Sequence, residues 1–223
     1  MFGDDYLELL GILDPTQFTN NLDKRLEEKG EGLLGVSFAT EDAEAAHAQL
    51  SGLGAEPPKD LKRLLDFPEG TLKAAFRLVH LPPEATPGKP AFLCQHLSRG
   101  VAWRADWLDH ANGAVGIAAV TARVEDLDQA HEAYGALFGA GAVSRRDGDV
   151  LIKVGGGQLR LRAAGPDAPE GLEGLDIAVE DIGRTVTVLE QAEITHQHTD
   201  NRITVAAIET CGVALGFVPA IGA

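Results

Sequence analysis

Three groups of residues in this chain are of types that could do chemistry. The first is Glu8, in the run Tyr6-Leu7-Glu8-Leu9-Leu10-Gly11, together with Cys94-Gln95-His96, which follows Phe92-Leu93. Both runs are short, apolar and of strand length. On a strand, Tyr6, Glu8 and Leu10 share one face, and Cys94 shares a face with His96. Imidazole and carboxylate suit a borderline divalent ion such as zinc, manganese, iron or nickel. The plainer alternatives are a surface carboxylate paired with a cation for Glu8, a strand-end histidine for His96 and a small buried apolar residue for Cys94. The second group is Trp103, Arg104, Trp107, His110 and Asn112. Two indoles and a guanidinium at a cavity mouth could clamp a planar or anionic molecule. The same stretch also reads as a linker, pinned by tryptophan packing and an Asn112-Gly113 turn. The third group is His196-x-His198, a pair on one strand face beside the Asp200-Asn201 turn, where an exposed hairpin is the simpler reading.

A repeat supplies the elements that must position these side chains. Gly35–Asp42, Ala119–Asp126 and Gly174–Asp181 are each a strand-length run ending in Glu-Asp. Each is followed by residues at helical spacing: Ala43, Ala46, Leu50 and Leu53; then Leu127, Ala130, Tyr134 and Leu137; then Ile182, Thr185 or Val186, and Leu189. That spacing gives each helix one apolar stripe, and the acidic pair sits at the positive end of the helix dipole. Hairpin signals follow at Asp147-Gly148, Gly155–Gly157 and Asp200-Asn201. The unit is therefore β-α-β-β-β, and the fold class is α+β, with repeated modules forming curved mixed sheets. Ala91–Leu97, Gln158–Ala163 and Val213–Pro219 read as last strands, and so does Tyr6–Gly11. Leu161 follows Ala119 by 42 residues and Leu215 follows Gly174 by 41. The same offset from Glu8 falls before Met1, so the first of four modules lacks its opening. The expected domains are residues 1–108 and 109–223. The first holds a last strand at about 4–12 and a module at about 32–97, and the second holds modules at about 113–164 and 171–219.

These residues resemble a known family. Phe2–Gly11 resembles the last strand of a vicinal oxygen chelate module. Phe92–His96, Trp103-Arg104, Trp107 and His110–Ala114 resemble its glyoxalase-like branch. The resemblance implies paired modules whose sheets curve into a cup, as in glyoxalases and dioxygenases. In that cup a divalent metal commonly chelates a small substrate. It also implies Glu8 and His96 as metal ligands and Gln95 and His96 as catalytic residues, with Trp103, Arg104, Trp107, His110 and Asn112 on the substrate. The activity implied is a lyase or isomerase acting on a small oxygenated molecule. The alternative is metal-free binding of a small molecule, as in bleomycin-resistance-type relatives. The family's first-strand histidine falls on Gly35, Ala119 and Gly174, which cannot coordinate, so metal is expected to bind weakly or not at all. This also argues against an extradiol dioxygenase, whose iron needs a two-His, one-carboxylate set.

Composition bounds the rest. The 223 residues carry a formal charge of -15, and no basic stripe is visible, which excludes a nucleic-acid partner. No apolar run is long enough for a membrane span, and the start has no signal-peptide pattern. Two distant cysteines give no disulfide framework, and the expected compartment is the cytoplasm. A last strand without its own opening strand leaves an edge and an apolar face, so a homodimer is expected.

Overall fold

Each of the three Glu-Asp pairs ends a strand and starts a helix. In the computed structural model, which describes residues 1–17, 19 and 21–220, the aspartate of each pair is the helix N-cap. Asp42 accepts from the backbone N–H groups of Glu44 and Ala45, Asp126 from those of Asp128 and Gln129, and Asp181 from those of Gly183 and Arg184. These bonds satisfy donors that a helix start otherwise leaves unpaired. The elements in chain order are α1 (Leu22–Lys29), β1 (Val36–Ala39), α2 (Ala43–Leu50), β2 (Lys59–Phe67), β3 (Gly70–His80), β4 (Ala91–His96) and α3 (Arg99–Ala102). Then come β5 (Ala114–Val124), α4 (Leu127–Phe138), β6 (Val143–Arg146), β7 (Asp149–Val154) and β8 (Gly157–Ala163). The last are β9 (Gly171–Val179), α5 (Ile182–Gln191), β10 (His196–Thr199), β11 (Arg202–Val205) and β12 (Ala214–Pro219). This is the expected α+β class of βαβββ modules. Two elements carry no reading above: the long β2–β3 hairpin, and α1, none of whose residues is buried.

The described chain divides into two units, and the division differs from sequential halves. The first unit takes Met1–Leu33, Leu108–Val120 and Glu173–Ala223; the second takes Leu34–Trp107 and Thr121–Leu172. The strand β5 contributes to both. In the first unit the strand order is β10-β11-β12-β9, with β5 beyond β9. There β9 and β12 pair in parallel, with Leu175, Ile177 and Val179 facing the core opposite Leu215 and Phe217. Phe2 packs in this same core with Ala114, Ile203 and Val205, which ties the chain start to the last module. In the second unit one sheet has the order β1-β4-β3-β2, and β8-β7-β6 follow the end of β5. There β1 and β4 pair in parallel, as the module pattern requires. Phe38 on β1 meets the edge of Phe138 on α4 at 4.9 Å, so the second and third modules share this unit.

Residues 6–11 are the main departure from the expected module. They carry no strand, and Leu7, Leu9, Leu10 and Leu13 are exposed. A strand needs a neighbour to take its backbone hydrogen bonds. Residues 6–11 belong to neither of the two sheets. The shared face expected for Tyr6, Glu8 and Leu10 is therefore not formed.

Candidate functional site

In the second unit, β4 delivers Gln95 and His96. The Gln95 side chain is spent on the backbone: its Nε2 donates to Glu41 O at 2.6 Å, and its Oε1 accepts from Ala43 N at 3.2 Å. It thereby clamps the entry to α2, which leaves little of its amide for orienting a substrate. The His96 ring stands edge-on between Phe76 on β3 and Trp103, at 4.9 and 4.8 Å, each at 81°. Burial, helped by the nearby Arg99 charge, holds its pKa below the usual histidine value. The ring is therefore neutral at pH 7. The Arg99 guanidinium lies over the Trp103 ring, 4.1 Å from its centre, so Trp103 meets both a ring edge and a cation.

Arg104 and Trp107 build a second cluster with the end of β2. The Phe67 and Trp107 rings stack at 5.6 Å and 27°. The Arg104 guanidinium lies 4.5 Å from the Phe67 centre and 5.8 Å from that of Trp107. Its ion-pair partner is Glu69, in the β2–β3 turn. Trp107 is 41% exposed, so one side of this aromatic and cationic shelf is open to water.

His110 and Asn112 belong to the first unit. His110 Nε2 contacts Met1 O at 2.7 Å, and its ring packs on Phe2 at 5.1 Å. Asn112 Oδ1 accepts from Ala114 N, and Arg184 donates to the carbonyls of His110 and Ala111. His196 and His198 each contact a carbonyl two residues away, of Ile194 and Asp200.

A divalent metal does not fit the donors present. Among the described residues no three His, Cys, Asp or Glu side chains gather. Glu8 is exposed on the strandless segment of the first unit, and His96 is wedged between rings in the second. Two of the three first-strand positions are closed as well as donor-free. A Cβ on Gly35 would lie 3.0 Å from Pro90 O, and one on Gly174 would lie 3.0 Å from Ala214 O. Both glycines let the last strand approach closely, at equivalent places in two modules.

Three polar features carried no sequence signal. Lys89 is 5% exposed, with its Nζ donating to the Tyr134 hydroxyl at 2.9 Å. Asp5 is half-buried, and both its oxygens accept from Ile117 N at 3.1 Å. Its pKa is raised, chiefly by burial. Arg202 on β11 reaches across Gly216 of β12 to pair with Asp176 on β9 through two bonds of 2.6 and 2.8 Å. Such contacts depend on strand register, which spacing alone does not supply.

With this geometry in place, comparison with known proteins assigns the family. The family model described as a glyoxalase-like domain matches residues 1–138. No curated protein matches. Among solved structures, a hypothetical protein from Staphylococcus aureus superposes with a TM-score of 0.61 at 15% identity. That match covers 88% of this chain and 70% of the other, and it shows a shared fold. The methylmalonyl-CoA epimerase of Mycobacterium tuberculosis gives a TM-score of 0.42 at 18% identity, over 53% of this chain and 97% of its own. The Streptomyces coelicolor epimerase in complex with 2-nitronate-propionyl-CoA gives 0.40 at 13%, over 49% and 99%. A family match over more than half of this chain's length, on a fold of βαβββ modules, makes this chain a member of the glyoxalase-like domain family.

Proposed function

We propose that this glyoxalase-like chain binds a small, planar, oxygenated anion without a metal, on the Phe67–Arg104–Trp107 shelf. The observation that carries this reading is the Arg104 environment. Its guanidinium lies over two aromatic rings, and its ion-pair partner Glu69 is an exposed carboxylate. Glu69 stands where a ligand carboxylate would sit. An exposed pair of this kind is worth about 0–1 kcal/mol, so an incoming carboxylate that also stacks on Trp107 can displace it. The metal-dependent lyase or isomerase reading needs donors that Gly35, Ala119 and Gly174 do not supply. It also needs Gln95 to release the backbone groups it clamps.

The chain has two tryptophans, so its indole N–H region gives two resolvable signals, from Trp103 and Trp107. Titration with benzoate and with pyruvate, in EDTA, is followed by NMR. The expected result is a saturable shift of Trp107 that is lost in Arg104→Met. Glu69→Gln removes the competing carboxylate and tightens binding by up to about fivefold, the factor that about 1 kcal/mol gives. A Trp107 signal that no probe moves, or that Arg104→Met leaves equally responsive, overturns the proposal.

A further inference from the structure

Lys89 stands apart from the shelf and needs its own account. It belongs to the segment Pro82–Pro90, which leads directly into β4. Lysine is almost never fully buried unless it is paired. Among the described residues no carboxylate lies within ion-pair reach of its Nζ. What surrounds it is the Phe38 ring of β1 at 4.8 Å, the Tyr134 ring of α4 at 4.9 Å and the Tyr134 hydroxyl at 2.9 Å. That hydroxyl donates in turn to Pro87 O at 3.0 Å, so the loop and α4 are tied twice. The seat is tight elsewhere as well. Gly88 has φ +88°, and a Cβ there would lie 2.8 Å from Val124 Cγ1 and 2.9 Å from Arg123 O. Thr86, one residue before Pro87, is 1% exposed.

An ammonium carries three donors, and this seat offers one oxygen and two ring faces. A neutral amine asks for far less. The protonated form is therefore better served in water and the neutral form in the seat. We propose that Lys89 is a proton-controlled latch: its amine, seated between Phe38 and Tyr134, holds the Pro82–Pro90 loop against α4, and protonation releases the loop. The other titratable group in contact with it is Tyr134. Burial, helped by the charge of Glu170, drives the Tyr134 pKa up, so Tyr134 stays neutral and supplies no counter-charge. Burial lowers the Lys89 pKa to about 7. Opening exposes the amine, whose pKa then returns to the ordinary lysine value of 10.5. Between these two values the open form binds one more proton than the closed form. Opening is therefore suppressed tenfold for each unit of rising pH, and it levels off below about 7. Because the loop ends where β4 begins, release frees the entry of the strand that carries Gln95 and His96.

The test uses the full chain. Hydrogen–deuterium exchange of Leu81–Lys89, corrected for the intrinsic pH dependence of exchange, gives the opening constant between pH 6.5 and 9.5. The expected result is a fall of about tenfold per pH unit in the wild type above pH 7, and no slope in Lys89→Met, which keeps the side chain's length without its charge. The 13Cε NMR signal of Lys89, assigned by its absence in that variant, should titrate near neutral pH in the wild type. A Lys89 signal that titrates with the exposed lysines overturns the latch. So does an opening constant independent of pH, or one with the same slope in Lys89→Met.

Discussion

Replacing Gly216 with alanine is the sharpest test of how the first unit is held together. Gly216 lies on β12, between β11 and β9, and its α-carbon is the floor over which Arg202 reaches Asp176. A Cβ there would overlap Asp176 Oδ1 and Arg202 Nη2 and would lie 2.8 Å from Arg202 Cζ. The ion pair has to lift away. Its Asp176 side chain is 15% exposed and its Arg202 side chain 42%, which places the pair between two limits. An exposed pair is worth about 0–1 kcal/mol, and breaking a buried one costs roughly 3–5 kcal/mol. With solvent screening on the arginine side, the expected loss is about 2 kcal/mol. Against this, alanine is better than glycine in a strand by roughly 0.5–1 kcal/mol. Gly216→Ala should therefore destabilise by about 1 to 1.5 kcal/mol in urea denaturation, with m unchanged. In an Asp176→Ala/Arg202→Ala background the overlap is gone, and the same substitution should stabilise by about 0.5 kcal/mol. That change of sign is the signature. A neutral or stabilising Gly216→Ala in the wild type would refute the reasoning.

Further outcomes follow from the same structure. Asp181→Ala, which removes the cap of α5, should cost about 1 kcal/mol in urea denaturation, and Asp126→Ala a similar amount at α4. Asp5 has a raised pKa, so the folded state holds its proton to higher pH than the unfolded chain does. Relative to Asp5→Asn, the wild type should lose stability as pH rises from below the ordinary aspartate range through Asp5's own pKa, as followed by thermal melts across acid pH. After dialysis against EDTA and then zinc or manganese, mass spectrometry should find well under one metal per chain; stoichiometric metal that survives Glu8→Ala and His96→Ala would contradict the donor analysis. The exposed leucines of residues 7–13 predict self-association, so light scattering should report twice the 23.5 kDa chain mass. A strict monomer at high concentration counts against that.

The modules were legible in the sequence because their signals are local. Asp42, Asp126 and Asp181 each precede a helical stripe, and a cap acts within three residues. The turns at Asp147-Gly148 and Asp200-Asn201 are equally local, and both join paired strands. The association of the modules was not legible. The chain start packs with the last module through Phe2 and bonds to β5 through Asp5, and the second module meets the third through Phe38 and Lys89. Those contacts depend on which faces meet, and periodicity is silent on that. Tyr6–Gly11 has the composition of a strand and forms none, because a strand's composition does not supply its neighbour. For the site, the sequence brought Trp103, Arg104 and Trp107 to attention together. It did not separate His110 and Asn112 from them, because a few residues of spacing do not reveal a change of unit. Glu69 and Phe67 were missed for a related reason: they reach Arg104 only because the β2–β3 hairpin folds back toward it.

The central claim is that this glyoxalase-like chain holds its ligand with Arg104 and aromatic rings, with no metal between them. Isothermal titration with benzoate tests it most directly, run once in EDTA and once after dialysis against zinc, on the wild type and on Arg104→Met and Glu69→Gln. Affinities are expected to be equal in the two buffers, with tighter binding in Glu69→Gln and none in Arg104→Met. Binding that appears only with zinc and persists in Arg104→Met would contradict it.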